Sequence, residues 1–297
     1  MVTETLRVHP EVAAALREHR PVVALESTLI SHGLPWPDNR DTALRLESIV
    51  REEGAVPATI CLANGHVHVG LDSNLLNDLA SGGAQKVSMR NLSLALANRS
   101  LGATTVAATM WCAHRAGIEV FATGGIGGVH RGAPFDVSAD LLQMSRTPVM
   151  IISAGAKAVL DLPATLEVLE THGVPVVGLR TDVFPAFWSA ASGLPVPRLD
   201  SEAEVAALWH THRNLGLSQA LLVGNPIPRE HEIPAATIEG WLREAERDPA
   251  LPSGPALTPW LLRRLAEISS GRTLQANLRL LENNARVAAR VAVALFK

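Results

Sequence analysis

The stretch PVVALEST, residues 21–28, is a short apolar run that ends on an acidic residue and two hydroxyl residues. A run this short and uniformly apolar reads as a strand, and a helix that Pro10 can start at its first turn precedes it. The same alternation continues along the chain. Asp38–Glu53 has helical spacing and stops at Gly54. Thr59–Leu62 and His66–Val69 read as strands joined by the hairpin-type turn Ala63-Asn64-Gly65. Helical stretches follow at Asn74–Ala80 and Leu92–Arg115, the second broken near Gly102. Further strands are expected at Glu119–Ala122, Val149–Ser153, Val174–Gly178 and Ala220–Val223. Between them, Lys157–His172 has helical spacing, kinked or divided by Pro163. Ser201–Asn214, Ala235–Glu246, Pro259–Ser269 and Leu274–Phe296 read as helices. Short β-rich runs separated by helices predict an α/β protein: a mixed, largely parallel central sheet covered on both faces, with at least one antiparallel hairpin. The Pro-rich segment Phe184–Arg198 reads as a loop or lid. No repeat or low-complexity linker divides the chain, so one domain over residues 1–297 is expected. In such folds functional groups gather at the carboxyl ends of strands and at the helix starts that follow.

Composition narrows the class. Hydrophobic residues make up 47 % and charged residues 19 %, with a net charge of −3. This is globular composition without a basic face for a nucleic-acid polymer. The start MVTETLRVHP lacks a secretion signal's apolar core, and no apolar stretch is long enough to span a membrane. Cytoplasmic location follows by elimination. Cys61 and Cys112 lie in apolar surroundings and read as buried thiols. Lysine is scarce: of 26 Lys plus Arg, only Lys86, Lys157 and Lys297 are lysine. Arginine replaces lysine as a surface cation but cannot act as an amine nucleophile, because guanidinium stays protonated.

Five features could carry chemistry. Glu26 at a strand's end is placed for acid–base work, or is simply a cap or surface carboxylate. Gly124-Gly125-Ile126-Gly127-Gly128, followed by His130 and Arg131, lets backbone amides approach an anion, or forms a tight turn without a ligand. It matches neither the dinucleotide pattern nor a P-loop. Asp136, Ser138 and Asp140 suit a hydrated divalent cation, or an ordinary helix start. Lys157, between strand and helix, stands in what reads as a helix's first turn, where the dipole and an apolar setting favour the neutral amine. Lys86 could contact a phosphate or a base, or be a solvated cation. Among the remainder, His66 and His68 resemble a metal pair without a third ligand. His210 and His212 are expected on an exposed helix. Asn225-Pro226-Ile227-Pro228 reads as a turn at a strand end. Asn283-Asn284 is poor helix chemistry, which points to one buried asparagine with a polar role.

These pieces occur in the order found in the pseudouridine-5′-phosphate glycosidases, and the chain resembles that family over nearly its whole length. The matching series runs from Val22–Thr28 and Ile30–Gly33 through Gly54–Ile60 and Gly102–Ala107. It continues with the glycine stretch, Ser153–Lys157, Asn225–Pro228, Thr258-Pro259 and Asn283–Ala285. The resemblance implies an α/β/α fold, a homotrimer, and reversible cleavage of the C–C glycosidic bond of pseudouridine 5′-phosphate to uracil and ribose 5-phosphate. It further implies Glu26 as the acid that opens the ribose ring and Lys157 as a Schiff-base nucleophile. Lys86, the backbone at Val106, and Ser138, Ala139 and Asp140 would bind substrate, with His130 a phosphate contact and Asn284 or Asn283 holding uracil. Asp136 would hold Mn2+ through a mainly aqueous shell. The rival readings are another Schiff-base lyase or aldolase acting on a sugar phosphate, and a non-catalytic nucleotide-binding protein.

Overall fold

The computed structural model describes residues 5–252 and 254–296. Lys297 and the first four residues of the start segment read above lie outside them. In chain order the first elements are β1 (Leu6–Val8), α1 (Pro10–Arg17), β2 (Val22–Leu25), a π-helical turn (Leu29–Gly33) and α2 (Asp38–Glu52). Then come β3 (Val56–Ala63), β4 (His66–Val69), α3 (Ser73–Ala80), β5 (Gln85–Val87), α4 (Leu92–Ala97), β6 (Gly102–Thr104) and α5 (Val106–Ala116). The middle of the chain holds β7 (Val120–Ala122), β8 (Val129–His130), β9 (Ala133–Val137), α6 (Ala139–Met144), β10 (Met150–Ser153), β11 (Leu160–Asp161) and α7 (Leu162–Thr171). Last are β12 (Val176–Leu179), β13 (Arg198–Leu199), α8 (Glu202–Asn214), β14 (Leu221–Gly224), α9 (Ala235–Glu246), α10 (Leu257–Ile268) and α11 (Arg272–Ala294).

The main sheet runs β1-β4-β3-β2-β7-β10-β14-β12-β13, with β6 also paired to β3 and β5 to β6. Only β3–β4 and β3–β6 are antiparallel; every other pairing in it is parallel. Every residue of β2, β3, β7, β10 and β14 is buried, as a sheet covered on both faces requires. The expected three-layer α/β/α architecture follows. The hairpin turn is Asn64-Gly65, both at positive φ (53° and 81°), which matches the twist of the paired strands. Long α11 lies against β2, β7 and β10 and packs on α2 and α8. A small second sheet, β11-β8-β9, stands apart from the main one. Among the described residues no helix is long and apolar enough to cross a membrane.

Four expectations are corrected. Leu92–Arg115 is not one broken helix: β6 lies between α4 and α5, a strand of three small residues with no periodicity to announce it. Residues 157–161 are not helical, because Pro163 sits in the first turn of α7 and Asp161 caps it by accepting from the Ala164 amide (3.0 Å). Pro163 therefore starts the helix instead of kinking it. The Pro-rich segment is no free lid, since Phe184, Phe187 and Trp188 are buried in the core. His212 is also buried, stacked on Trp209 with Nε2 at 2.9 Å from the Gln219 carbonyl.

Candidate active site

Four neighbouring central strands deliver the site at their carboxyl ends. Glu26 follows β2, Thr123 follows β7, Ser153–Lys157 extends from β10, and Asn225 follows β14. Pairing continues past the strand ends. Ala154 donates to the Gly124 carbonyl (3.0 Å), Ile126 to Gly155 (3.0 Å), and Lys157 to Ile126 (3.1 Å). The glycine stretch is thus an extended ribbon beside the lysine segment, not a tight turn, and none of its four glycines has positive φ. They are glycines because neighbours press on them. A Cβ on Gly124 would fall 3.2 Å from Leu281, and one on Gly125 would fall 2.7 Å from Phe187. Ser138 and Asp140 crowd Gly127, and Thr165 crowds Gly128.

The carboxyl of Glu26 accepts a very short hydrogen bond from the Thr123 hydroxyl. Burial raises its pKa above the ordinary carboxylate value; the Lys157 charge opposes this, and Asp140 adds to it. The ammonium of Lys86 is pushed below the ordinary lysine value, by burial first and then by Lys157, with Asp140 and Glu26 acting the other way. His32, on the π-helical turn, is held below its usual value by burial and by Lys86. Two lysines, a protonatable carboxyl and Asp140 therefore share one electrostatic environment. The expected dipole effect on Lys157 falls away, because α7 begins five residues later.

A family model described as Indigoidine synthase A like protein matches residues 11–294. The chain belongs to that family. Relatives named pseudouridine-5′-phosphate glycosidase include one from Paracoccus denitrificans, 54 % identical over 98 % of each chain. One from Legionella pneumophila is 47 % identical over 100 % of this chain and 98 % of its own. Two solved structures superpose closely. The indigoidine synthase A-like protein of Thermotoga maritima is 39 % identical with a TM-score of 0.91. The prealnumycin C-glycosynthase AlnA, solved with ribulose 5-phosphate, is 42 % identical with a TM-score of 0.92. Each covers 98 % of this chain, which covers 97 % of each in turn.

In this member of the Indigoidine synthase A like family, the other expected site residues are placed as follows. Val106 opens α5, whose N-cap residue Thr105 makes no side-chain cap and keeps a buried hydroxyl with no partner among the described residues. Ser138 caps α6 by accepting from the Asp140 amide (3.2 Å), and exposed Ala139 is the helix's first residue. Asp140 is buried with both carboxylate oxygens on backbone amides. The ring of His130 spans Asp136, with Nδ1 2.8 Å from its carboxylate, and the Thr258 hydroxyl at 2.8 Å from Nε2. Nε2 is thereby hydrogen-bonded, while buried Nδ1 lies within ion-pair distance of Asp136 without a hydrogen bond among the described residues. Arg131 is committed too, to Glu239 (2.8 Å) and to the carbonyls of Leu160 and Ala158. Arg131 is therefore not a free anion contact.

Asn284 is the buried asparagine expected in the last helix, at 1 % exposure. Its amide donates to the carbonyls of Thr123 (2.8 Å) and Gly124 (3.3 Å) and accepts from Asn225 (2.8 Å). Its donors are used inside the protein, so it braces the site from behind and has none left for uracil. Asn283 holds the Pro226 carbonyl (3.1 Å). Asp136 is 38 % exposed, and among the described residues no group of three His, Cys, Asp or Glu side chains could hold a metal. These donors suit only a cation that keeps most of its water. His66 does not complete a metal pair with His68, being bonded to Arg7 (3.0 Å) and near the Asn64 carbonyl (3.1 Å). Sequence reading missed Thr123, Asn225 as a brace, and His32; only the strand-end position of Thr123 signalled it.

Proposed function

We propose that this chain is a pseudouridine-5′-phosphate glycosidase, working as one catalytic domain in a cytoplasmic homotrimer. The observation that carries the reading is Glu26, a carboxyl disposed to hold its proton, sharing its surroundings with Lys157, whose side chain makes no hydrogen bond or ion pair among the described residues. A carbon leaving group needs an electron sink that acid alone does not provide. Glu26 donates its proton to the ribose ring oxygen as the C1′–O bond opens. The lone pair of the Lys157 amine bonds to C1′. Its nitrogen lone pair then forms the iminium while the electron pair of the C1′–C5 bond goes to uracil C5, which takes a proton. Water adds to the iminium and releases ribose 5-phosphate and the amine.

Lys86, the α5 start at Val106 and the Ser138–Asp140 turn would face the sugar phosphate. A hydrated Mn2+, held by Asp136, would offset phosphate charge. Assay of pseudouridine 5′-phosphate against ketose phosphates tests the reading. Release of uracil is expected; cleavage of ketose phosphates alone would replace it with an aldolase-type reaction, and binding without turnover would leave a sensor.

Glu26→Gln should lower kcat/KM by about 10²–10⁴-fold. In the wild type, the raised pKa keeps the acid form of Glu26 present above the ordinary carboxylate range, and activity falls as pH rises through that value. The pH profile of kcat/KM should lose this descending limb in Glu26→Gln.

A further inference from the structure

The chain changes direction directly after Lys157. The Lys157 amide still pairs with the glycine ribbon, donating to the Ile126 carbonyl (3.1 Å). The Leu160 amide then donates back to the Lys157 carbonyl (3.0 Å) and closes a turn over residues 157–160. Leu160 and Asp161 go on to form β11, opposite His130 and Val129 of β8. Two carbonyls of this turn are taken by one side chain. Arg131, the residue after β8, donates from Nη2 to the Ala158 carbonyl (3.3 Å) and from Nε to the Leu160 carbonyl (3.2 Å). The same guanidinium meets both oxygens of Glu239 on α9, Nη2 at 2.8 Å and Nη1 at 3.1 Å. A rigid planar fork thus holds two carbonyls and a carboxylate at once, which an ammonium on a flexible stem does not reproduce. The carboxylate limits where the guanidinium can swing, and so where the turn it grips can sit.

We infer that Arg131 is a positioning residue for Lys157: anchored by Glu239, its guanidinium clamps the turn over residues 157–160 and fixes the backbone from which the amine projects. It acts through the main chain of that turn. The inference rests on the proposed function for its kinetic part only. A reacting group misplaced by about 1 Å loses about 10²-fold in rate. Loss of the clamp therefore shows in kcat with KM little changed, whereas loss of a ground-state anion contact raises KM instead.

The test compares wild type, Arg131→Ala, Arg131→Lys and Glu239→Ala. Amide hydrogen exchange at Leu160, followed by NMR, reads the turn; the amides of β10 serve as reference, because they report opening of the whole sheet. Single-turnover uracil release from pseudouridine 5′-phosphate, with kcat and KM measured separately, reads the amine. In Arg131→Ala the Leu160 amide should exchange about tenfold faster or more relative to β10. Single-turnover rate and kcat should each fall by about 10–100-fold, with KM within about threefold of wild type. Arg131→Lys keeps the charge but not the fork, so it should resemble Arg131→Ala. Glu239→Ala frees the guanidinium and should give a smaller loss of kcat in the same direction. Unchanged exchange at Leu160 in Arg131→Ala, or near-normal kcat, overturns the inference. Full rescue by lysine, or a loss confined to KM, overturns it too. If Arg131→Ala does not fold, Arg131→Lys and Glu239→Ala are judged by the same criteria. Exchange needs no turnover. A wild type that releases no uracil therefore defeats the proposed function, while Leu160 still decides the clamp.

Discussion

Lys157→Ala should lose turnover by about 10⁴-fold or more while the protein stays folded. The amine is the only group in the proposed reaction that can take the C1′ carbon as the uracil carbon leaves, and alanine offers no substitute. Arginine would not restore it, because guanidinium does not give up its proton. Lys157 is partly buried and its side chain holds no hydrogen bond or ion pair among the described residues, so its removal takes little from stability. Thermal unfolding should therefore match wild type within a few degrees. Borohydride reduction in the presence of ribose 5-phosphate, followed by peptide mass mapping, should fix the sugar on Lys157 in wild type and nowhere in the variant. A label on another residue, or near-normal turnover in Lys157→Ala, would reassign the nucleophile.

The largest effect on stability is expected two residues earlier. Gly155 has φ of 84°, a left-handed conformation that costs an alanine about 1–2 kcal/mol. A Cβ there would also land on the carbonyl oxygen of Pro185, a backbone atom with little freedom to yield. That carbonyl belongs to the packed segment that Phe187 ties down by donating to Ala154 (2.8 Å). Gly155→Ala should therefore cost about 3 kcal/mol or more and lower Tm by roughly 10 °C. Calorimetry checks this directly, and a change within 2 °C would show that the segment repacks freely.

The central sheet was legible because PVVAL, the run before Lys157 and the run before Asn225 are apolar without interruption. β6 was not, since Gly-Ala-Thr lacks both β-branched bulk and alternation, and its place is fixed by pairing with β3 and β5. Lys157 drew notice through the scarcity of lysine, but the dipole argument failed because Pro163 begins its helix. Helix propensity correctly marked one of Asn283-Asn284 as buried. It could not say that Asn284 bonds carbonyls 161 and 160 residues away. The backbone bonds of Asp140 were hidden for the same reason: Gly127 and Ala107 are distant in sequence, and the glycines looked like an anion loop when their smallness serves close packing. Order of motifs carried what spacing alone could not.

The brace made by Asn284 also concerns how the protein is made. It is synthesised after Glu26, Thr123 and Lys157. Until α11 has left the ribosome, the carbonyls of Thr123 and Gly124 lack this donor and Asn225 lacks its acceptor. The groups assigned to the chemistry exist in the nascent chain before their support arrives. A message cut short before the codons of α11 yields the amine and the acid without the wall that holds them.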